Sequence, residues 1–310
     1  MKSPVPVPPA VPSLPKGDRR TALVGRVKNA IAALPFHFDS ATTIEGIEAG
    51  DLFSLNSVLG STIEVQTVAA LNKLHSIWDP DCEYMNYAFR RSSQSFPDVR
   101  LVNAESPDTE PLLGIELKGW YLLTKEKVPA FRYNVTPGAC SVFDLLVVVP
   151  WHLNNVLSGK PVIIEPFTVN AKYAAMVRNH YWSEMRDSTA DKGIASPEGV
   201  GPYPKAGAEI SDRPNYDGGG NFGRIARVEG LMDDYVASTL QTTIAGIPAK
   251  YWIDFFTTFV DSHTDHDIGK AVKEKLVRIY KECGHWAEMD SAAESLADSI
   301  AGLLAAARKA

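Results

Sequence analysis

The sequence predicts an α/β (α+β) fold in which a mixed sheet is flanked by helices and a helical C-terminal part is added. Three observations predict it. The 310 residues carry 45% apolar and 22% charged side chains, the composition of a globular chain able to bury a large core. Apolar residues recur at helical spacing through the first quarter, and the period then shortens from about residue 82 into β-branched and aromatic segments. From Asn221 onward the spacing is helical again. The expected organisation is a disordered Pro-rich tail over residues 1–20 and one domain over 21–310, with its core at about 61–186, a long loop at 187–220 and the helical part at 221–310.

Each element has a local reason. Six of the 21 prolines lie in Met1 to Lys16, too many for the apolar helix of a signal peptide, so the tail reads as polyproline-like. Thr21 to Leu34 aligns Leu23, Val24, Val27, Ile31 and Leu34 behind a possible Thr21 cap. A second helical region, about Asp51 to Trp78, is expected to divide at Gly60-Ser61, and Glu64 falls among its apolar positions. Cys82 to Arg90, Asp98 to Asn103 and Leu112 to Leu123 read as three strands, the last two joined at the turn Glu105-Ser106-Pro107-Asp108-Thr109. Phe143 to Val149 is apolar enough for a strand covered on both faces. Pro161 to Glu165 is a further candidate strand, Ala171 to Arg186 an aromatic-rich helix, and Asp187 to Gly220 a Gly-, Pro- and Asp-rich loop. The Ala-rich Ser291 to Arg308 closes the helical part.

Several classes are excluded. Cys82, Cys140 and Cys283 are odd in number and widely spaced, which suggests neither a disulfide framework nor a zinc ribbon, and a reducing cytoplasm is the expected setting. The longest apolar stretch, Val142 to Leu153, is interrupted by Asp144, Pro150 and His152, so no membrane partner is expected. The net charge of -6 argues against simple polyanion binding, yet residues 118–227 hold 13 basic against 10 acidic side chains.

The chemistry-bearing stretch is Phe96-Pro97-Asp98-Val99-Arg100, the turn, and then Ile115-Glu116-Leu117-Lys118-Gly119-Trp120. Strand residues two apart share a face, so Glu116 and Lys118 project together. A symmetric hairpin centred on residue 107 sets Asp98 opposite Glu116. Opposed carboxylates repel unless a cation lies between them, and a divalent metal would resolve the conflict. Magnesium takes oxygen ligands, one or two of them carboxylates. Lys118, beside such a site, could orient or help deprotonate a water aimed at phosphorus, which is hydrolytic phosphodiester cleavage.

On Pro97-Asp98, 17 intervening residues and Glu116-Leu117-Lys118, the chain resembles the PD-(D/E)XK nuclease superfamily, best known from type II restriction endonucleases. The resemblance covers about 100 residues and implies a restriction-endonuclease-like mixed sheet in the order helix, three strands, helix, strand. It also implies an acidic residue on the first helix, matched by Glu64. Asp98, Glu116, Leu117 and Glu64 would then contact Mg2+, with Asp98, Glu116, Lys118 and Glu64 as the catalytic set. The implied activity is endonucleolytic cleavage of double-stranded DNA by a homodimer, and the alternative is an inactive DNA-binding or assembly protein on the same fold. The helix between the third and fourth core strands is unclear in the sequence, because Thr124 to Ser141 contains Pro129 and Pro137-Gly138.

Arg132, Lys172, Arg178 and Arg224 are the candidate DNA contacts, with Phe131, Tyr133, Tyr173, Tyr181 and Trp182 interleaved. Gly218-Gly219-Gly220-Asn221-Phe222-Gly223 spells a dinucleotide fingerprint but follows no strand. His263-Thr264-Asp265-His266-Asp267 with Cys283-Gly284-His285 matches no zinc spacing.

Overall fold

The computed structural model describes residues 7–47, 52–92 and 95–261, together with 274 and 278. Helix α1 (Arg19–Ala32) starts within the expected tail, and its cap is Asp18 rather than Thr21: the Asp18 carboxylate accepts the Arg20 backbone N–H. Asp18 supplies an anionic acceptor at the helix start, whereas the Thr21 hydroxyl donates back to the Pro15 carbonyl. Leu14 packs on the core, so the tail is not free along all of its expected length.

After the short helix α2 (Leu34–His37), helix α3 (Leu55–Lys73) runs unbroken through Gly60-Ser61, where a break was expected. A Cβ on Gly60 would meet nothing within 4 Å, so the glycine answers no close contact; the buried Leu59 and Ile63 on either side of it hold the helix on the core. The turn α4 (His75–Trp78) leads into the sheet.

Strands β1 (Tyr87–Arg91), β2 (Val99–Asn103) and β3 (Leu113–Tyr121) form an antiparallel meander, and β4 (Leu145–Leu153) pairs parallel with β3. Strands β5 (Pro161–Ile163) and β6 (Phe167–Asn170) both pair antiparallel with β4. All nine residues of β4 are buried, as a strand covered on both faces requires. The crossover from β3 to β4 carries only a 3-10 turn, Pro137–Ala139, in place of the implied helix. Its prolines and Gly138 disfavour a longer one, and a Cβ at Gly138 would meet the Val200 carbonyl oxygen at 2.9 Å.

Helix α5 (Ala171–His180) follows β6 and continues as a π-helical turn, Tyr181–Met185. The loop 187–220 contains a two-residue ladder, β7 (Ile194–Ala195) with β8 (Arg213–Pro214). Beyond it lie α6 (Asp233–Thr239), the small hairpin β9 (Thr243–Ile244) and β10 (Ile247–Pro248), and α7 (Ala249–Asp261). The expected uniformly helical C-terminal part is thus mixed as far as Asp261. The His263 cluster, Cys283 and the Ala-rich stretch lie outside the described residues. One hydrophobic cluster extends from Leu23 to Phe256, so helices from both ends of the described chain pack on the same core. Among the described residues no helix is long and apolar enough to cross a membrane.

Candidate active site

The β2–β3 ladder pairs Val99 with Ile115, Arg100 with Gly114 and Leu101 with Leu113. One step further along the same register sets Asp98 opposite Glu116. Here β2 begins, while β3 runs on to Tyr121, so the strand edge beyond Ile115 lacks a backbone partner from β2. The Asp98 side chain takes over that role: its Oδ2 accepts the Leu117 backbone N–H at 3.0 Å. In return the Asp98 backbone N–H donates to Glu116 Oε2 at 3.3 Å. The two acids are therefore clamped to each other's strands.

Pro97 secures this geometry. A Cβ on Gly114 would come within 2.2 Å of Pro97 Cγ and 3.0 Å of Asp144 Oδ1, so only glycine admits the Phe96-Pro97 segment against β3. Asp144, which the sequence reading noted only as a break in an apolar run, is fully buried. It accepts the Gly114 and Ser141 N–H groups and the Tyr203 hydroxyl, each within 2.8 Å. Burial nevertheless pushes its carboxyl up to about 6.

Lys118 Nζ lies 2.6 Å from Glu116 Oε1 and 3.5 Å from Asp98 Oδ2. The cation between the carboxylates is thus the chain's own ammonium. Glu116 is 7% exposed, Lys118 and Asp98 are partly exposed, and the site opens on the Asp98 side. Burial raises the Glu116 carboxyl to about 7, against the lowering pull of Lys118 and with a further rise from Asp98. Lys118 is held above its ordinary range: burial works against its charge, but the facing acids Glu116, Asp98 and Glu64 outweigh it. Glu64 reaches this group from α3. Its carboxyl is raised by burial and then by Asp98, while Lys118 and an Arg91 contact at 3.4 Å oppose the rise. The structure thus brings Asp98, Glu116 and Lys118 into direct contact and places Glu64 within electrostatic reach.

Magnesium fits this donor set in one respect. Two hard carboxylates facing one partly open space are what an ion that keeps most of its waters uses. Among the described residues no group of three or more His, Cys, Asp and Glu side chains is set to hold a metal ion.

The expected DNA contacts separate. Arg178 is a correction: it is 1% exposed, paired with the buried Asp212, and donates to the Tyr133 and Val135 carbonyls. Its charge is spent inside the protein, because a buried guanidinium needs a counter-ion and acceptors. Lys172 is half-buried near the start of α5. Arg132 is half-exposed, donates to the Gly220 carbonyl and lies 3.7 Å from Asp217. Arg224 reaches Glu126 at 3.4 Å. Glu126 and Asp212 were missed as organising acids because their partners lie far away in the chain. Comparison with protein-family models, curated proteins and solved structures finds no match.

Proposed function

We propose that the protein is a magnesium-dependent endonuclease that hydrolyses DNA phosphodiester bonds on a restriction-endonuclease-like core. The observation that carries this reading is the convergence of Asp98, Glu116 and Lys118 at the point where β2 begins and β3 continues past it. The element order, a helix before a three-stranded meander with a fourth strand parallel to the third, supports it. Asp98 and Glu116 would hold the ion, which when bound stabilises negative charge developing on phosphate oxygens. Released from Glu116, the Lys118 ammonium would hydrogen-bond the attacking water or a non-bridging oxygen. Glu64, with its raised pKa, is placed to accept a proton at the same edge. Arg132, Lys172 and Arg224 remain candidate phosphate contacts, and a two-fold dimer would place one such site on each DNA strand.

One observation favours a second reading, an inactive DNA-binding protein: the Lys118 ammonium already lies against both acids, where a metal would be expected. Incubating the protein with supercoiled plasmid and magnesium separates the two. Linear or fragmented product that disappears with Lys118→Ala supports the enzyme. Gel retardation without cutting supports the binder, and neither retention nor cutting removes DNA from the proposal.

A further inference from the structure

We infer that the cavity between the π-helical turn after α5 and residues 221–228 is a binding site for a phosphate group, separate from the carboxylate site, Arg224 being the one remaining candidate DNA contact that it uses. The cavity has a volume of about 280 Å³ and is bordered by Tyr181, Trp182, Arg186, Asn221, Arg224 and Arg227. It shares no residue with the Asp98–Glu116–Lys118 cluster. Its size lies near the lower end of small-molecule pockets and suits a phosphate or a small phosphate ester better than an extended cofactor.

Charge decides the ligand class. Arg224 Nη1 and Arg227 Nη2 converge on a single oxygen, Oε2 of Glu126, at 3.4 and 2.6 Å. Arg186 lies flat over the Trp182 ring, 3.6 Å from its centroid, and has no acidic partner among the described residues. Arg178, beneath them, is neutralised by Asp212. Arg224 and Arg227 therefore share one carboxylate and Arg186 has none, and an added group carrying about two negative charges would balance the three. That two arginines already grip one oxygen shows that their geometry suits an oxyanion, for which guanidinium forks are well shaped.

Hydrogen bonding points the same way. Among the described residues no acceptor meets Nε or Nη2 of Arg186, Nε of Arg224 or the indole N–H of Trp182. The residues that carry these buried donors, Trp182, Arg186 and Arg224, all border the cavity, so a modest turn of their side chains would bring the donors to an acceptor-rich ligand. The wall is held rigidly. Gly223 has φ +80°, and a Cβ there would lie 1.6 Å from Asn134 Oδ1, so the backbone bearing Arg224 admits only glycine at this point. The π-helical turn that supplies Tyr181 and Trp182 is a rare geometry frequent at functional sites.

Glu126 does not line the cavity, but its carboxylate pairs with Arg224 and Arg227 and so competes for their charge with an anion bound there. Titrating the full chain calorimetrically with inorganic phosphate at constant ionic strength tests the proposal. Binding is expected to weaken about tenfold or more in Arg224→Gln and in Arg227→Gln, as loss of a charge-assisted hydrogen bond implies. It should tighten in Glu126→Gln and stay unchanged in Lys118→Gln. A deoxynucleoside 5′-monophosphate is the second probe: tighter binding with the same arginine dependence identifies a nucleotide as the source, and equal binding identifies free phosphate. The inference fails if neither probe binds. It fails equally if binding survives both arginine substitutions, or is lost with Lys118→Gln, which would place the phosphate at the carboxylate site.

Discussion

Lys118 Nζ stands 2.6 Å from Glu116 Oε1, two residues back on the same strand, and this ammonium fills the space that repulsion between Glu116 and Asp98 would otherwise leave to an external cation. The carboxylate pair thereby has a counter-charge from within the chain.

Removing the ammonium should expose the metal preference of the acids. Lys118→Ala is expected to lose about 1–3 kcal/mol of stability, less than a fully buried broken pair costs, because the site is partly exposed and Glu116 can take up a proton. It should also lose plasmid cleavage. Melting curves at rising magnesium should show a larger upward shift for Lys118→Ala than for the parent, since the ion would replace the missing charge. The absence of any magnesium response in either protein would count against the metal.

The raised carboxyl of Glu116 makes stability fall with pH. Its folded value of about 7 exceeds the ordinary 4.5 of an unfolded glutamate, so its contribution is complete below about 4.5 and is lost as pH climbs through about 7. Asp144, raised from 3.8 to about 6, acts in the same direction at lower pH. Urea unfolding between pH 4 and 8 should therefore show a declining stability, and Glu116→Gln should flatten its upper half. A parent protein that gains stability over pH 5–7 would contradict the buried state of Glu116.

Ion binding should run the opposite way. Holding magnesium requires the Glu116 carboxylate in its charged form, so the apparent affinity for the ion is expected to rise between pH 6 and 8. Calorimetric titration at three pH values checks this, and a flat profile would remove Glu116 from the ligand set.

Gly114→Ala is expected to act on the site through Pro97. The new methyl cannot share space with a ring atom 2.2 Å away, so Pro97 and the adjoining Asp98 must shift, at a cost of about 1–3 kcal/mol for overpacking. Cleavage should fall by more than the stability loss explains. A variant of parental stability and activity would show that the Pro97 contact does not position Asp98.

Arg178→Met should destabilise by about 3–5 kcal/mol, because Asp212 is left buried without its partner. Arg178→Met combined with Asp212→Leu should recover much of that loss. Retention of DNA by the double variant at parental strength would place Arg178 in the structure alone, whereas a selective loss of retention would return it to the DNA surface.

Much of the corner where Asp98, Glu116 and Lys118 meet was legible because its determinants are local. Strand parity puts Glu116 and Lys118 on one face, and the hairpin centre at residue 107 predicts the register that the ladder shows. Helical spacing located α1, α3 and α5, and the run at Phe143 to Val149 announced the buried β4. The errors share a different cause. Gly60 looked like a helix break, but Leu59 and Ile63 beside it are buried and tertiary packing carries the helix through the glycine. Thr21 looked like the cap, although Asp18 offered the stronger acceptor. Arg178 looked like a surface cation because nothing nearby in the chain shows that Asp212 waits to bury it. Glu126, which joins two arginines about 100 residues away, gave no local signal.

The chain's own order of residues determined which side chains share a strand face, where the hairpin turns, and that two acids and a lysine meet. Only the three-dimensional packing decided that the Lys118 ammonium reaches both acids, that Arg178 is turned inward, and that Arg186, Arg224 and Arg227 gather around one cavity. The division follows from range. Alternation and turn chemistry act over a few residues, whereas charge pairing and burial depend on which distant segments fold against each other.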